Sequence, residues 1–246
     1  MEQASRSDIG CERDDNEDSC SYWEPASEEQ LHSKGRLAIV ADGMGGHEGG
    51  KEASRIAVEA IEEVYAAGTD GGPQSLLIRG FRAAQQRILE YAMAHPKLHG
   101  MGTTATAVVV LPTQLHYIHV GDSRLYLVRG GVISRLTRDH SYVGRLVESG
   151  VITPEEADEH PQRHILTAAL GAGSETSPDV PREAISVDSG DVLVLCTDGL
   201  WCVVGDEEIR QAVAGCAPAD ACSALVEMAR QRGGPDNITV QVLRIS

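Results

Sequence analysis

Apolar residues recur with helical spacing in two neighbouring segments of the chain. Within each segment they stand three or four positions apart, which places them on one face of an α-helix. They are Ala53, Ile56, Ala57, Ala60, Ile61 and Val64 in the first segment, and Leu77, Phe81, Ala84, Ile88 and Tyr91 in the second. The pattern predicts a pair of helices within residues 50–95, separated by the turn-rich stretch 68–73. The second helix should end at Pro96, because proline disfavours helix at the preceding residue.

Short runs rich in β-branched and other apolar residues predict strands in the rest of the chain. They are Leu37–Ala41, Thr104–Leu111, Leu115–Val120, Arg124–Arg129, Val132–Leu136, Asp191–Thr197 and Ile238–Ile245. Several are joined by only a few residues, which is too short a connection for parallel neighbours. The sequence therefore predicts antiparallel sheets and excludes the alternating strands and helices of a Rossmann fold. Two more helices are expected near residues 206–214 and 218–232.

Residues 139–173 break this pattern. They contain Pro154 and Pro161 and show little alternation of apolar and polar positions, which is typical of a surface excursion such as a flap. Neither an internal repeat nor a low-complexity linker divides the sequence, so we interpret residues 1–246 as a single domain.

Charge and cysteine content exclude several classes of function. Acidic residues number 37 against 21 basic ones, a formal net charge of −16, which argues against a broad nucleic-acid or anionic-membrane surface. No apolar run approaches the roughly 18–20 residues that span a bilayer, and the N-terminus lacks signal-peptide character, so we expect a cytoplasmic protein without membrane insertion. The 6 cysteines include no Cys-x-x-Cys pair, and none is followed six positions later by arginine. A zinc framework and a cysteine-dependent phosphatase are therefore excluded.

Four aspartates lie at the ends of predicted strands. Asp42, Asp122 and Asp198 each follow an apolar strand, whereas Asp236 precedes the last one. In an antiparallel sheet the start of one strand lies beside the ends of its neighbours, so all four are expected at one rim. Such a cluster repels itself unless cations intervene, and oxygen-only ligands favour Mg²⁺ or Mn²⁺ over zinc. Taken singly, an Asp-Gly pair is also typical of a turn, which is how we interpret Asp70 between the helices.

A glycine-rich loop, residues 42–51, joins the first predicted strand to the first helix. It nearly matches the nucleotide-binding pattern G-x-x-x-x-G-K-[ST], but Glu52 stands where a hydroxyl should hold Mg²⁺. A carboxylate there would repel phosphate, so nucleotide binding is the weaker interpretation. The alternative is that glycine lets the backbone approach a metal ion, with the Gly43 carbonyl as a ligand beside Asp42.

The acidic segment Arg13–Asp18 carries a single arginine. Arg13 can hold a phosphate with both arms of its guanidinium, while Asp18 reaches a metal ion or its water. A solvated acidic turn with an internal ion pair explains the same pattern, so both interpretations stay open.

These residues occur in an order that resembles the metal-dependent protein phosphatases of type 2C, in their compact bacterial form. The resemblance runs from about Arg6 to Ile245. The motifs that carry it are Ser7-Asp8-Ile9-Gly10 with Arg13 and Asn16-Glu17-Asp18, Asp42-Gly43-Met44-Gly45-Gly46-His47, Gly102-Thr103-Thr104, Gly121-Asp122-Ser123-Arg124, Thr197-Asp198-Gly199-Leu200-Trp201 and Asp236-Asn237-Ile238-Thr239. Residues 139–141 and 166–171 resemble the segment that carries the family's flap.

The resemblance implies an α+β fold, a four-layer α-β-β-α sandwich in which two antiparallel sheets are flanked by helix pairs and metals bind at one end. By motif, Asp42 would bridge two metal ions, the Gly43 carbonyl would bind one of them, and Asp198 and Asp236 would complete the other. Asp122, together with Asp198, matches a third, weaker metal position of bacterial members.

Three further residues are assigned by the same resemblance. Arg13 matches the phosphate-binding arginine, and Asp18 matches an acidic residue that helps to hold metal-bound water. His47 lies five residues beyond Asp42 and is as typical of a hydrogen-bonded loop histidine as of a proton donor. Cys202 replaces an acidic or polar residue often seen after the Asp-Gly-Leu-Trp motif, and we expect little consequence.

The resulting hypothesis is hydrolysis of phosphoserine and phosphothreonine in proteins, by a water held between two Mn²⁺ or Mg²⁺ ions and without a covalent phosphoenzyme. The protein would act as a monomer on phosphorylated proteins and reverse a bacterial Ser/Thr kinase. The first alternative is a catalytically inactive phosphoprotein-binding module of the same fold. A nucleotide-binding protein is the weaker alternative. The net charge of −16 disfavours long-range capture of acidic phosphopeptides, so recognition is expected to depend on the rim and flap, near Arg138, Arg145, Arg163 and His164. Arginines of this kind are also often only solvated surface.

Overall fold

Two antiparallel sheets form the centre of the computed structural model, which describes residues 1–44, 48–153, 156–157, 160–172 and 177–246. The first sheet has the order β1 (Glu2–Asp8), β11 (Ile238–Arg244), β10 (Val192–Cys196), β7 (Arg124–Arg129), β8 (Val132–Arg135). The second has the order β2 (Asp18–Trp23), β3 (Arg36–Met44), β5 (Ala105–Val110), β6 (Gln114–Val120), β9 (Ile185–Ser186), and the short β4 (Gly102–Thr103) pairs with β3. All of these pairings are antiparallel.

Helices cover the outer faces of both sheets. On the second sheet lie α2 (Glu48–Ala67) and α3 (Gly72–Ala94), and on the first lie α6 (Asp206–Val213) and α7 (Pro218–Gln231). The connections contain α1 (Glu28–Lys34), a 3₁₀ turn (Pro96–Leu98), α4 (Tyr142–Glu148) and α5 (Asp198–Trp201). This confirms the four-layer α-β-β-α sandwich implied by the resemblance. Within the described ranges, no helix is both long and apolar enough to cross a membrane.

Side chains along β3 alternate between two cores. Leu37, Ile39 and Ala41 pack towards α2 and α3, whereas Ala38 and Val40 pack towards the other sheet. All five are fully buried, and burial of one Leu, Ile or Val side chain stabilises a fold by roughly 1.5–3 kcal/mol. This alternation therefore fixes β3 between a helix layer and a sheet layer. It also fixes the position of Asp42, which follows the apolar run.

The predicted long helices, and strands close to each predicted run, are present in the structure. Polar edge elements escape the prediction: β1 is largely exposed and lies at the edge of its sheet beside β11, so it shows no apolar alternation. The strand predicted at Leu37–Ala41 continues to Met44, because its pairing with β2 and β4 extends past the apolar run. Asp42 therefore lies inside a strand and not after one.

The flap-like segment, residues 139–173, begins with α4. The Ser141 hydroxyl caps this helix by accepting a hydrogen bond from Gly144 N–H at 3.0 Å. Tyr142 N–H donates to the carbonyl oxygen of Ile165 at 2.8 Å, which closes the base of the segment. Residues 154–155, 158–159 and 173 of the predicted flap lie outside the described ranges.

Candidate metal centre

Four aspartates line one cavity of about 500 Å³ at the end of the sandwich: Asp42, Asp122, Asp198 and Asp236. Asp42 lies in β3, Asp122 follows β6, Asp198 follows β10 at the start of α5, and Asp236 precedes β11. Neighbouring strands run in opposite directions, so the ends of three strands and the beginning of a fourth meet at this rim. The structure thus brings together all four aspartates singled out in the sequence.

Asp18 joins this cluster through the register of β2 and β3. It stands directly opposite Asp42 in the antiparallel pairing, and its Oδ2 accepts a hydrogen bond from Thr197 Oγ1 at 2.8 Å. Its other carboxylate oxygen, Oδ1, is buried and has no hydrogen-bond partner among the described residues. Burial raises the pKa of Asp18 to about 7, and the negative charge of Asp198 adds to the shift.

Two threonines fix the backbone of Asp42. Asp42 N–H donates to Thr104 Oγ1 at 3.0 Å, and the Asp42 carbonyl oxygen accepts from Thr103 Oγ1 at 2.8 Å and from Thr104 N–H at 2.9 Å. The Thr104 hydroxyl also lies 2.6 Å from the hydroxyl of Ser123. These bonds tie β3 to the turn that carries Asp122, and so hold two aspartates of the cluster in a fixed relation.

The carboxylates of the cluster repel one another. Burial, reinforced by the charge of Asp198, raises the pKa values of Asp42 and Asp122 well above the ordinary range. Burial and the charge of Asp236 raise the pKa of Asp198. Carboxylates that share one cavity favour a retained proton or a bound cation. Asp198 Oδ1 is buried without a hydrogen-bond partner in the part of the chain described, so a cation could replace the proton and satisfy this oxygen.

The donor set fits hydrated Mg²⁺ or Mn²⁺. It consists of carboxylate oxygens beside backbone carbonyls, which hard divalent cations prefer. Across the described ranges, no group of three or more His, Cys, Asp or Glu side chains is arranged to hold an ion by itself. Mg²⁺ typically binds one or two carboxylates and keeps several water molecules. A cavity of about 500 Å³ has room for ions that retain such water.

Two glycines in the cavity wall leave no space for a side chain. A Cβ atom on Gly43 would lie 2.1 Å from the carbonyl oxygen of Gly50, and one on Gly199 would lie 2.0 Å from that of Asn237. Either contact would force the backbone apart. Gly43 therefore lets the start of α2 approach β3 closely, with its own backbone at the cavity wall. The candidate proton donor His47 lies outside the described residues.

Arg13 lies in the cavity wall and pairs with Asp236. Its Nη2 is 2.7 Å from Asp236 Oδ2, and the arginine side chain is 51% exposed. A pair with this exposure contributes about 0–1 kcal/mol, so the guanidinium can exchange Asp236 for another anion at little cost. This pair joins Arg13 to a residue 223 positions away and not to a residue of the acidic segment, so it differs from the internal ion pair of one interpretation. The arginine lies beside the acidic cavity, as the other interpretation requires.

The turn at Asp122 is supported from outside the cavity. Trp201 Nε1–H donates to the Asp122 carbonyl oxygen at 2.9 Å, and the Arg124 guanidinium lies 3.6 Å above the indole ring. The same guanidinium binds Asp139 at 2.7 Å, with both side chains only 13% exposed. This chain of contacts connects Asp122 to the beginning of the flap-like segment.

Three other polar residues line the cavity although sequence reasoning gave them no role: Glu17, Thr104 and Asn237. Asn237 joins three backbone segments, because its Oδ1 accepts from Glu17 N–H at 2.8 Å and its Nδ2 donates to the carbonyl oxygens of Ile9 and Asp15 at 2.9 Å each. All three lie inside motifs that carry the family resemblance. Their place within these motifs, rather than their residue type, could have identified them from the sequence.

Cys202 also lies in the cavity wall, and the expectation that this residue has little consequence for the site stays a prediction. The residue is exposed, yet desolvation of its sulfur and the charges of Asp198 and Asp122 raise the pKa of its thiol. The thiolate is the nucleophilic form of cysteine, so this thiol is a poor nucleophile. Among the described residues that line the cavity, Cys202 is the only cysteine, and covalent thiol catalysis therefore does not fit the site.

A second cavity of about 770 Å³ adjoins the first, and the two share the wall residues Asp122, His164 and Cys202. Arg138 and Arg163 line this second cavity. Arg145 is exposed and lines neither cavity. Of the four residues expected at a recognition rim, three therefore line a cavity, and Arg145 does not.

Comparison with known proteins gives a family. A family model for protein phosphatase 2C matches residues 14–218. The serine/threonine protein phosphatase PstP of Mycobacterium tuberculosis is 39% identical over 243 residues, which is 98% of this chain and 44% of that protein. The chain thus spans less than half the length of this curated relative. The protein phosphatase PhpP of Streptococcus pneumoniae is 35% identical over 257 residues, covering 100% of this chain and 98% of that protein.

Solved structures agree in fold. A crystal structure of M. tuberculosis PstP superposes with a TM-score of 0.88 at 38% identity, covering 99% of this chain and 98% of that one. The PstP catalytic domain in complex with 2 manganese ions gives a TM-score of 0.84 at 37% identity, covering 98% of this chain and 96% of that one. From the family match, the relatives and the shared fold, this chain belongs to the protein phosphatase 2C family.

Proposed function

We propose that this chain removes phosphate from phosphoserine and phosphothreonine in proteins by metal-dependent hydrolysis, without a covalent phosphoenzyme. The observation that carries the proposal is the single cavity in which Asp42, Asp122, Asp198 and Asp236 converge beside Arg13. The names of the relatives, which are protein phosphatases, support it. The manganese ions bound to the PstP catalytic domain support Mn²⁺ as the metal, and Mg²⁺ is the alternative with the same ligand preferences.

Oxygen atoms from four parts of the chain would hold the ions. Asp42 would bridge two of them, with the Gly43 carbonyl on one and Asp198 and Asp236 on the other, and Asp122 with Asp198 would hold a third, weaker ion. When bound, the ions activate water for in-line attack on phosphorus and neutralise charge on the phosphoryl oxygens. Mutual repulsion of the carboxylates supports these assignments, because positive charge relieves it.

The protein's own side chains would orient the substrate. Arg13 would bind two phosphoryl oxygens with its planar guanidinium after it leaves Asp236. Asp18 is assigned to water at the ion site, because its buried Oδ1 lacks a hydrogen-bond partner among the described residues. His47 is the candidate that would donate a proton to the leaving oxygen.

Phosphate release from matched phosphoserine, phosphothreonine and phosphotyrosine peptides tests the proposal. We expect release from the first two in Mn²⁺ or Mg²⁺, none in a chelator, and loss of nearly all activity in Asp42→Asn. Asp70→Asn is the matched control, because Asp70 also precedes glycine but is exposed between two helices. Full activity of Asp42→Asn, or activity that survives the chelator, would contradict the proposal.

Two measurements separate the alternatives. A phosphoprotein-binding module would bind the phosphopeptide and return it intact after Mn²⁺ is added. A nucleotide-binding protein would be stabilised against heat by ATP, in competition with phosphopeptide. Because the thiol of Cys202 is a poor nucleophile, hydrolysis that requires this cysteine would also contradict the proposed chemistry.

We further propose that residues 1–246 act as one catalytic domain, as a monomer in the cytoplasm, opposite a bacterial Ser/Thr kinase. Phosphoserine and phosphothreonine are made by such kinases, and the bacterial phosphatases among the relatives support this setting. Light scattering on the eluted peak of a sizing column tests the monomer. Co-expression with a Ser/Thr kinase of the same cell tests the pairing, since its phosphorylation should fall only when active phosphatase is present.

A further inference from the structure

Two histidine rings meet where the flap-like segment leaves the sheet. His119 lies in β6 and His140 at the start of the segment, and their ring centroids are 5.0 Å apart with planes tilted by 52°. Neither ring lines the acidic cavity. Each of the four ring nitrogens has a defined partner, so the role of each nitrogen as donor or acceptor can be derived.

His119 anchors the chain just before His140. It is fully buried, its Nε2 lies 3.0 Å from the Arg138 carbonyl oxygen, and its Nδ1 lies 2.8 Å from Thr106 Oγ1. Burial lowers the pKa of His119 to about 4, so the ring is neutral and carries one proton. A carbonyl can only accept, which places that proton on Nε2. β6 therefore holds the backbone of Arg138.

His140 holds Gly121 from two sides. His140 N–H donates to the Gly121 carbonyl oxygen at 2.7 Å, and Gly121 N–H donates to His140 Nδ1 at 3.3 Å. On the other side of the ring, His140 Nε2 lies 3.4 Å from Asp179 Oδ2. A backbone N–H can only donate, so Nδ1 is the acceptor and Nε2 carries the proton of the neutral ring.

Gly121 has no side chain that could fix its own position. Its φ is +104°, and a Cβ atom would lie 2.5 Å from the side chain of Thr104, so glycine is required here. The bonds to His140 therefore help to fix the peptide that leads into Asp122, together with the contacts of Trp201 and Thr104 to the same turn. Asp122 is 6% exposed, and its position in the cavity wall depends on this peptide.

The carbonyl group of His140 belongs to the base of the flap-like segment. It accepts a hydrogen bond from Thr167 N–H at 2.7 Å. The neighbouring Ser141 pairs with Leu166 in an isolated antiparallel bridge. His140 thus contacts both ends of the segment's base and the peptide before Asp122.

We propose that His140 is a positioning residue that couples the base of the flap-like segment to Asp122. Its Nδ1 holds the Gly121 amide, and through it the carboxylate that would bind the third, weaker ion. Movement of the segment is then transmitted to that ion, and occupancy of the ion site is transmitted back. The inference rests on the proposed function only in taking Asp122 as an ion ligand.

Two substitutions separate the two ring nitrogens. In His140→Asn the amide oxygen takes the place of Nδ1 and can still accept from Gly121 N–H. In His140→Gln the amide nitrogen takes the place of Nε2 and keeps the contact with Asp179, but the acceptor for Gly121 is lost. A purely structural role of the ring would make both variants similarly defective.

Calorimetric titration with Mn²⁺, in the absence of substrate, is the primary measurement. We expect Asp122→Asn to remove the weakest binding event, His140→Gln to weaken that event about tenfold, as loss of outer-shell partners does, and His140→Asn to stay within about twofold of the native protein. The tighter events should be unchanged in both His140 variants. In activity assays, His140→Gln should need more Mn²⁺ for half-maximal rate.

Equal losses in both His140 variants, an unchanged weakest event in His140→Gln, or persistence of that event in Asp122→Asn would each overturn the inference. ¹⁵N NMR of the native protein is an independent measurement that needs no variant: Mg²⁺ at concentrations that fill the weakest site should shift the His140 Nδ1 resonance, and no shift would overturn the inference as well. Failure of the proposed function can be told apart from failure of this inference. Absence of phosphate release would contradict the proposed function, whereas the Mn²⁺ calorimetry and the Mg²⁺ titration by NMR would still report on His140 and Asp122.

Discussion

The guanidinium of Arg13 lies 2.7 Å from the carboxylate of Asp236, so the residue proposed to bind phosphate is paired with a residue proposed to bind metal. The pair neutralises part of the charge of the acidic cluster. An ion that takes Asp236 as its ligand releases the guanidinium at a cost of about 0–1 kcal/mol. Binding of the cation and binding of phosphate are therefore expected to favour each other.

Replacing Arg13 by alanine should raise the KM for a phosphoserine peptide about 10- to 100-fold, because a hydrogen bond to a charged group contributes roughly 1.5–3 kcal/mol. The change in kcat should be smaller. Steady-state kinetics at saturating Mn²⁺ measure both constants. Arg82→Ala is the control, since Arg82 is exposed on α3. Equal KM values for the two variants would contradict the assignment of Arg13.

Replacing Asp42 by asparagine should stabilise the metal-free protein while it abolishes activity. The substitution removes a buried carboxylate whose pKa is raised well above the ordinary range by burial and by neighbouring charges. Each kcal/mol regained raises the Tm of a domain of this size by roughly 2–4 °C. Thermal unfolding in a chelator measures the gain, and Mn²⁺ should then stabilise the variant less than the native protein. A lower Tm than native in the chelator would show that the carboxylates do not repel one another.

The stability of the metal-free protein should fall as pH rises from about 4 to above 7. Asp18 has a pKa of about 7 in the fold, against 3.8 as the ordinary value, so between these values the folded chain holds a proton that the unfolded chain has released. The stabilisation from this group is complete at the acidic end and is lost as pH rises through 7. Urea unfolding of native protein and Asp18→Asn in a chelator, at a series of pH values, isolates the effect. If the free energy of unfolding of the two proteins depends on pH in the same way, the proposed effect of Asp18 is excluded.

Replacing Gly43 by alanine should cost both stability and activity, because the new Cβ would lie 2.1 Å from the Gly50 carbonyl oxygen. Gly205→Ala is the matched control: a Cβ there meets only Glu208 Oε2 at 3.7 Å, and its φ of −72° suits any residue. We expect Gly43→Ala to lose most Mn²⁺-dependent activity and to melt several degrees below Gly205→Ala. Similar behaviour of the two variants would argue against a tight contact between β3 and the start of α2.

Substitution of Arg138 and Arg163 by alanine should affect peptides more than small phosphate esters, because both arginines line the second cavity beside the acidic one. We expect the KM for phosphopeptides to rise about fivefold, equivalent to about 1 kcal/mol, with little change for p-nitrophenyl phosphate. Arg145→Ala serves as the comparison, since Arg145 lines neither cavity. An equal effect of all three substitutions would place recognition elsewhere.

The parts of the fold that follow from sequence are those in which periodicity coincides with burial. Side chains of α2 and α3 that pack on one sheet recur with the spacing of a helix, and side chains of β3 alternate between two cores. The two helices and the strand could therefore be predicted. Strand β1 could not, because an exposed edge strand needs no apolar alternation and depends on its partner β11. Asp42 lies inside its strand for a similar reason, since hydrogen-bonded pairing continues beyond the apolar run.

Within the site, the convergence of the aspartates could be predicted because antiparallel order determines which strand ends are neighbours. The contacts that set their orientation could not. Asn237 joins three segments, and the two-sided contact of His140 with Gly121 links residues 19 positions apart. Such bonds depend on tertiary geometry, and residue type alone gives no indication of which partner an asparagine or histidine will find.

The opposed carboxylates of Asp18 and Asp42 also bear on how long the protein persists in a cell. Without cations these buried groups weaken the folded state, so a larger fraction of molecules opens and becomes accessible to proteases. Scarcity of manganese or magnesium would then lower the amount of protein as well as its turnover, and dephosphorylation would recover only after new synthesis.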